Sequence, residues 1–282
     1  MRWQGRRGSD NIEDRRRMGV GRAGGLGLGG MLAVLAISYF LGIDITPMLN
    51  GGGSSISQGG EVEVTEADQQ AAEFVSVTLA DTEEVWSGVF QSQLGRPYNP
   101  VTLVLFKQVT QSPCGNASGA TGPFYCPLDK KVYLDTDFFV TLQRQMGAGG
   151  DFAAAYVVAH EVAHHVQDEL GILSQVNDIR QRSGEAESNA LSVRIELQAD
   201  CLSGAWANNA AQTLGTIEQG DIAEAMNAAA KIGDDTLQRN AGRRPMPDSF
   251  THGTSEQRQR WFAEGFKSGR IDACDTFNTN DI

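Results

Sequence analysis

The sequence predicts an α+β fold, in which one mostly helical domain with a small sheet follows a single N-terminal transmembrane helix. Three observations carry this prediction. An uncharged run of 21 residues lies at 23–43, β-branched apolar segments lie at 101–107 and 132–134, and the pattern from residue 151 onward is almost wholly helical. No linker separates the strands from the helices, so a single domain over residues 66–282 is the simpler interpretation.

Three segments precede this domain. Residues 1–22 form a basic arm with seven arginines against three acidic residues, whereas the whole chain has a net charge of −12. Residues 23–46 are the predicted membrane anchor, since a helix of 21 uncharged residues matches the roughly 30 Å hydrocarbon core of a bilayer. Residues 47–65 contain a glycine- and serine-rich run and are the predicted flexible linker.

The arginines before the anchor predict its orientation. They favour a single-pass protein of the inner or plasma membrane, with a cytoplasmic N-terminus and a periplasmic or other extracytoplasmic body. A cleaved signal peptide and a buried soluble helix are the alternatives, but no A-x-A cleavage pattern follows the apolar run. The expected partners are the lipid bilayer and a substrate of the body. The acidic composition argues against nucleic acid as a partner.

Four cysteines support an oxidising compartment. Proximity in sequence favours a disulfide between Cys114 and Cys126, which leaves Cys201 to pair with Cys274. The alternative is four reduced cysteines in a cytosolic fold. A cysteine zinc site is not expected, because no C-x-x-C spacing occurs.

The remaining helices and strands are predicted from the spacing of apolar residues and from the residues that begin or end such segments. Apolar residues at helical spacing predict two core helices before Pro97, and the segment around 132–134 is a candidate edge strand for an extended ligand. Further helices are predicted at 136–146, 152–169, 185–210, 218–231 and 254–268. Asp151 is the expected N-cap of the helix 152–169.

That helix carries the sequence H-E-V-A-H at residues 160–164. Four residues advance a helix by about 400°, so His160 and His164 project from one face, one turn apart. Two imidazoles in this arrangement suit a tetrahedral zinc ion, and Glu161 lies beside the first of them. His165 does not share this face and is expected to pack in the core. The alternative is a surface helix with incidental histidines.

A catalytic zinc ion needs a third protein ligand and an open position for water. The next long helix offers Glu196 and Asp200, again four residues apart. Glu196 is the predicted third ligand, and Asp200 is predicted to accept the second N–H of a ligand histidine. Small residues after Asp200 would let this helix approach a neighbour closely. The sequence therefore predicts one catalytic Zn²⁺.

At these residues the chain resembles a known family. H-E-x-x-H followed by E-x-x-A-D is the signature of gluzincin metallopeptidases, and the longer strings resemble the bacterial neutral zinc metallopeptidase family over nearly the whole chain. These strings are C-G at 114–115, G-P-F-Y-C-P at 122–127, V-Y-L-D at 132–135, H-E-V-A-H-H-V-Q at 160–167, E-L-Q-A-D-C at 196–201 and T-H-G-T-S-E-Q-R at 251–258. The resemblance implies a zincin-like fold and a membrane-anchored peptidase acting on peptides or proteins.

The donor set suggests a mechanism for such a hydrolase. Glu161 is the predicted general base, which takes a proton from the attacking water and returns it to the leaving amine. His252, in a proline- and glycine-containing loop, is the predicted catalytic donor to the oxyanion, with tyrosines 125, 133 and 156 as weaker candidates. Two other functions fit the same residues: a catalytically silent zinc-binding scaffold of the envelope, and a hydrolase of a non-protein, cell-wall amide.

Overall fold

The computed structural model describes residues 1–18, 63–118, 122–144 and 146–282. The predicted anchor at 23–46 lies outside these residues, and no helix within them is long and apolar enough to cross a bilayer. The elements in chain order are β1 (Ile12–Asp14), α1 (Glu66–Val89), β2 (Thr102–Phe106), β3 (Val109–Ser112), β4 (Gly115–Ser118), β5 (Phe124–Cys126), β6 (Lys131–Asp135), α2 (Phe138–Arg144), α3 (Asp151–Glu169), α4 (Ile172–Arg180), α5 (Glu185–Thr213), α6 (Asp221–Lys231), α7 (Asp234–Asn240) and α8 (Ser255–Ser268).

A four-stranded sheet lies against the helices in the order β1-β2-β6-β5. The first three strands are parallel, and β5 is antiparallel to β6. In β2, Leu103 and Leu105 face the main core with the helices, whereas Val104 and Phe106 pack on the other face beside the β3–β4 hairpin. Because both faces are buried, β2 is apolar nearly throughout instead of alternating with polar residues.

The first 18 residues are part of this structure. β1 forms a parallel pair with β2 at one edge of the sheet. Two arginines tie the segment to α1: Arg6 forms an ion pair with Asp81 at 2.6 Å, and Nη1 of Arg16 donates to the carbonyl oxygen of Asp68 at 2.6 Å. Arg16 is buried, so its contacts are made away from water.

This pairing differs from the arrangement that the sequence predicts. The sequence predicts a cytoplasmic arm at 1–22, separated by one membrane crossing from the body at 66–282. In the structure, residues 12–14 of this arm join the sheet of the body through the parallel pair of β1 and β2. The sequence pattern does not reveal this pairing, because the three residues of β1, I-E-D, are mostly polar. Ion pairs hold the segment together with apolar contacts, since Met1 lies in the main core and Trp3 and Ile12 pack against it.

The sheet also corrects the predicted edge strand. The segment around 132–134 lies in β6, which has β2 on one side and β5 on the other. β6 therefore has no free edge for an extended ligand. The edge next to the helices that carry the candidate site is β5, a three-residue strand that the sequence analysis did not detect.

Several predicted helices differ from the observed ones at their ends. The two predicted core helices form one helix, α1, which continues through a π-helical turn at Phe90–Leu94 and ends at Gly95 with φ of 66°. The helix α3 begins at Asp151, and Gly150 is its N-cap. The short helices α4 and α7 were not predicted, since each spans no more than nine residues, which is too short a window for a periodic pattern to identify a helix.

The close approach of α5 to a neighbouring helix, expected from its small residues, is present at α8. A Cβ on Gly204 would lie 2.0 Å from the carbonyl oxygen of Phe262, and one on Gly265 would lie 1.7 Å from that of Cys201. The two backbones are therefore in contact at glycine positions on both helices. This contact fixes α8 against the helix that carries Glu196 and Asp200.

Replacing Gly265 by alanine is expected to lower the free energy of unfolding by about 2–3 kcal/mol, because the added methyl group overlaps backbone that cannot rotate away. The control is Gly88→Ala in α1, where nothing outside the helix lies within 4 Å of the added Cβ. There alanine should stabilise the helix by up to ~1 kcal/mol. Urea denaturation measures both variants. Equal stability of Gly265→Ala and the parent protein would contradict the close contact.

Both disulfides favoured by sequence proximity are present. Cys114–Cys126 joins the end of the β3–β4 hairpin loop to β5, and Cys201–Cys274 joins α5 to the C-terminal segment. No cysteine is left free. The second bond closes a span of 73 residues and so restricts the unfolded chain strongly.

Candidate metal centre

Two neighbouring helices bring the predicted site residues together. α3 supplies His160, Glu161 and His164, and α5 supplies Glu196 and Asp200. The two helices can lie close to each other because small side chains are buried beside the site residues on both of them. These small residues are Ala159, Ala163, Ala199 and Ser203.

Three side chains point donor atoms at one volume. The candidate ligand atoms of His160, His164 and Glu196 lie within 4.8 Å of one another. Nε2 of His160 is 3.0 Å from one carboxylate oxygen of Glu196, and Nε2 of His164 is 3.5 Å from the other. The remaining histidine of α3, His165, lies elsewhere, as expected: its Nε2 donates to the carbonyl oxygen of Asn99 at 2.8 Å.

The hydrogen bonds on the other ring nitrogens fix the tautomer of both histidines. Nδ1 of His160 is 2.9 Å from Asp200, and Nδ1 of His164 is 2.8 Å from Oε1 of Gln167. The amide nitrogen of Gln167 donates to the carbonyl oxygen of Ile195, which fixes the orientation of that amide. Because both partners of the Nδ1 atoms are acceptors, Nδ1 carries a hydrogen in each ring, and Nε2 is the nitrogen that can bind a metal ion once it has lost its proton.

The two Nε2 atoms and the Glu196 carboxylate together make a donor set that fits a cation, which would take the place of the protons. Burial acts to lower the pKa of His160, but Asp200 and Glu196 outweigh it and raise that pKa to about 10. Burial acts to raise the pKa of Glu196, but the two histidines lower it well below its usual range. Protons or a metal ion must therefore balance this buried charge, and two imidazoles with one carboxylate are typical zinc ligands.

A second layer of side chains holds Asp200. Arg258 on α8 donates to it from Nε at 2.8 Å and from Nη2 at 3.0 Å, and the hydroxyl of Tyr156 donates to it as well. Burial raises the pKa of the Asp200 carboxyl, but Arg258 and His160 outweigh it and lower that pKa to about 2. Asp200 is thus held as an anion that orients His160.

The sequence analysis missed Arg258 as a member of this layer. A signal was present in α8, where Arg258, Trp261, Phe262 and Gly265 follow at helical spacing and are all buried. An arginine on an otherwise apolar helix face needs a buried acidic partner. The helix alone could not say which acid that partner would be.

The cluster forms part of the wall of a cavity of about 510 Å³. Glu161 also lines the cavity, and burial raises the pKa of its carboxyl group. Tyr125 and Tyr156 line it too, whereas Tyr133 belongs to the opposite face of the sheet and donates its hydroxyl to Asp129. The structure therefore leaves Tyr133 away from the cluster.

His252 reaches the same cavity from the loop before α8. Asp234 holds this loop, because one of its carboxylate oxygens accepts the backbone N–H groups of Thr251, His252 and Gly253 at 2.8, 2.7 and 3.0 Å. The other oxygen is 3.3 Å from Nδ1 of His252. Burial acts to lower the pKa of His252, but Asp234 and Glu196 raise it. The sequence analysis did not identify Asp234.

The variant Asp200→Asn is expected to weaken zinc binding by about 10- to 100-fold, because His160 loses its anionic partner while all three ligands remain. Competition with a chromogenic chelator measures the affinity, after circular dichroism has confirmed the fold. Asp272→Asn, at an exposed carboxylate paired with Arg270, is the control and should bind zinc as the parent protein does. An affinity within two-fold of the parent would rule out this supporting role.

Two histidines, one glutamate and an adjacent buried glutamate in a cleft define the class of zinc metallopeptidases with an H-E-x-x-H helix. The chain belongs to the family described as "Putative neutral zinc metallopeptidase", which matches residues 1–277.

Relatives span most or all of the chain. The uncharacterized protein YpfJ of Escherichia coli strain K12 is 45% identical over 286 residues, which cover 98% of this chain and 99% of its own. The uncharacterized protein Rv2575 of Mycobacterium tuberculosis strain H37Rv is 40% identical over 218 residues, which cover 74% and 71%. No solved structure matches the chain.

Proposed function

We propose that this protein is a zinc-dependent peptidase that hydrolyses peptide bonds with Glu161 as the general base. The observation that carries the proposal is the shared cavity: Glu161 lines it beside the His160, His164 and Glu196 cluster. Zinc held by those three residues would supply Lewis acidity to the water and to the substrate carbonyl. A silent scaffold would have no use for a buried carboxylate next to such a cluster.

Glu161 handles the protons in this mechanism. Its carboxylate takes a proton from the water that attacks the peptide carbonyl, and it then delivers that proton to the leaving amine. A buried carboxyl with a raised pKa is suited to both transfers, because it can hold the proton between the two steps. The charge that develops on the carbonyl oxygen needs a hydrogen-bond donor from the cavity wall.

His252 is our candidate for that donor. Asp234 raises its pKa and contacts Nδ1, so the protonated ring has a second N–H at Nε2 to offer to the substrate. His252→Ala is expected to lower kcat by about 100-fold with little change in KM, since the charge develops only in the transition state. His252→Gln, which keeps a donor, should recover part of the loss. A normal kcat in His252→Ala would exclude the role.

The edge strand β5 is our candidate for substrate alignment. Phe124 and Tyr125 line the cavity, and within the described residues β5 pairs only with β6. An extended peptide could add to this edge through backbone hydrogen bonds. The hydroxyl of Tyr125 donates to Asp168 on α3 at 3.1 Å and so holds the strand over the metal-site helix.

The proposal is tested by measuring whether peptide cleavage depends on bound zinc. The purified protein should contain about one zinc ion per chain and cleave members of a fluorogenic peptide library. 1,10-Phenanthroline should abolish cleavage, and added Zn²⁺ but not Mg²⁺ should restore it. Cleavage of cell-wall amides and not of peptides would replace the proposed substrate class.

Two disulfides support an oxidising, extracytoplasmic location for residues 1–18 and the body together.

A further inference from the structure

Arg180 is the last residue of α4, and its side chain lines the cavity that contains the metal cluster. Nη1 donates to Oδ1 of Asn177 at 3.1 Å, and Nε donates weakly to Oγ of Ser188 at 3.4 Å. Both acceptors are neutral. Arg180 forms no ion pair with any carboxylate of the described ranges, and a guanidinium has five N–H donors, so it keeps unused donors.

The other cations of the cavity differ from Arg180 in this respect. Arg258 is paired with Asp200, and His252 contacts Asp234. The two ligand histidines face Glu196. Among the cationic side chains that line the cavity, Arg180 therefore differs in having no carboxylate of the described residues as an ion-pair partner.

A structural role at the end of α4 does not account for this placement. A cation in the last turn of a helix is favourable beside the free carbonyl groups, but a side chain extended into water would gain the same benefit. Arg180 is instead half-buried. Its hydrogen bonds to Asn177 on the same helix and to Ser188 on α5 hold the guanidinium group at the cavity wall. Asn177 lines the cavity beside it. The guanidinium is therefore held in place before any substrate arrives.

We infer that Arg180 binds a carboxylate of the substrate and makes the cleft selective for peptides with an anionic group near the scissile bond. A guanidinium and a carboxylate form two parallel hydrogen bonds, which fix position as well as charge. The carboxylate could come from an Asp or Glu side chain or from a free C-terminus. The inference rests on the proposed peptide hydrolysis and adds a substrate class to it.

Binding to the zinc-loaded protein tests the inference without turnover. The probes are three succinyl hydroxamates of equal length, which end in glutamate amide, in glutamine amide, or in glutamine with a free carboxylate. Isothermal titration should show that one or both of the anionic probes bind about ten-fold more tightly than glutamine amide, the usual scale for a charged hydrogen bond. The tighter probe identifies a side chain or a C-terminus as the source.

Variants separate Arg180 from a general effect of charge. Arg180→Gln should reduce the preference to less than two-fold, and Arg180→Lys should keep part of it. Arg182→Gln, at an exposed arginine two residues later, is the matched control and should keep the full preference. Equal binding of the three probes, no binding, or a preference that survives in Arg180→Gln each overturns the inference. If the parent protein shows no preference for the anionic probes but still cleaves neutral peptides, the inference about Arg180 fails while the proposed peptide hydrolysis stands.

Discussion

The variant Glu161→Gln is expected to lose peptide hydrolysis almost completely, with kcat reduced by about 1,000-fold or more, while it still binds zinc. Glutamine has the size of glutamate but cannot accept the proton of the attacking water. The side chain lies in the cavity beside His160 but is not one of the three residues whose donor atoms converge. The substitution therefore separates proton transfer from metal binding.

Two measurements together decide this prediction. Metal analysis should find the same zinc content in Glu161→Gln and in the parent protein, and a fluorogenic peptide should report the loss of kcat. Glu169→Gln is the control, because it makes the same change near the end of the same helix and outside the cavity. Loss of zinc in Glu161→Gln would assign this residue to the metal instead, and full activity would remove it from the mechanism.

The metal cluster was largely predictable because helix geometry ties sequence spacing to space. His160 and His164 share a face of α3 whatever the tertiary structure is, because they are four residues apart in a helix. The same holds for Glu196 and Asp200 on α5. The meeting of the two helices was an inference from the donor types, and the structure places their atoms within one cluster. Asp200 was found because it shares a helix face with Glu196, whereas Arg258 and Asp234, which act through Asp200 and His252, were not found, since no spacing within one helix relates them to their partners.

The fold shows a similar division. Long buried helices have a period that can be read from the sequence, and α3 and α5 begin and end within a few residues of expectation. The strands β1 and β5 have three residues each, too few to show alternation, and their positions depend on pairing with strands far along the chain. The position of β1 depends also on the ion pairs of Arg6 and Lys131, which no local pattern reveals.

The variant Glu196→Ala is expected to weaken zinc binding by more than about 100-fold and to abolish hydrolysis with it. Glu196 supplies both carboxylate oxygens that face the two Nε2 atoms, at 3.0 and 3.5 Å. Its loss leaves two neutral imidazoles, and a bound ion would keep only two protein ligands instead of the three of a catalytic site. This loss should exceed the 10- to 100-fold effect of removing an outer partner such as Asp200.

Chelator competition on the folded protein measures this affinity, and two further variants make the result specific. Glu196→Gln keeps the shape and one oxygen donor but removes the charge, so its affinity should lie between those of Glu196→Ala and the parent protein. Glu185→Ala, at an exposed glutamate at the start of α5, should bind zinc normally. If Glu196→Ala binds zinc within two-fold of the parent protein, another residue must be the third ligand. The convergence of α3 and α5 would then have a structural role only.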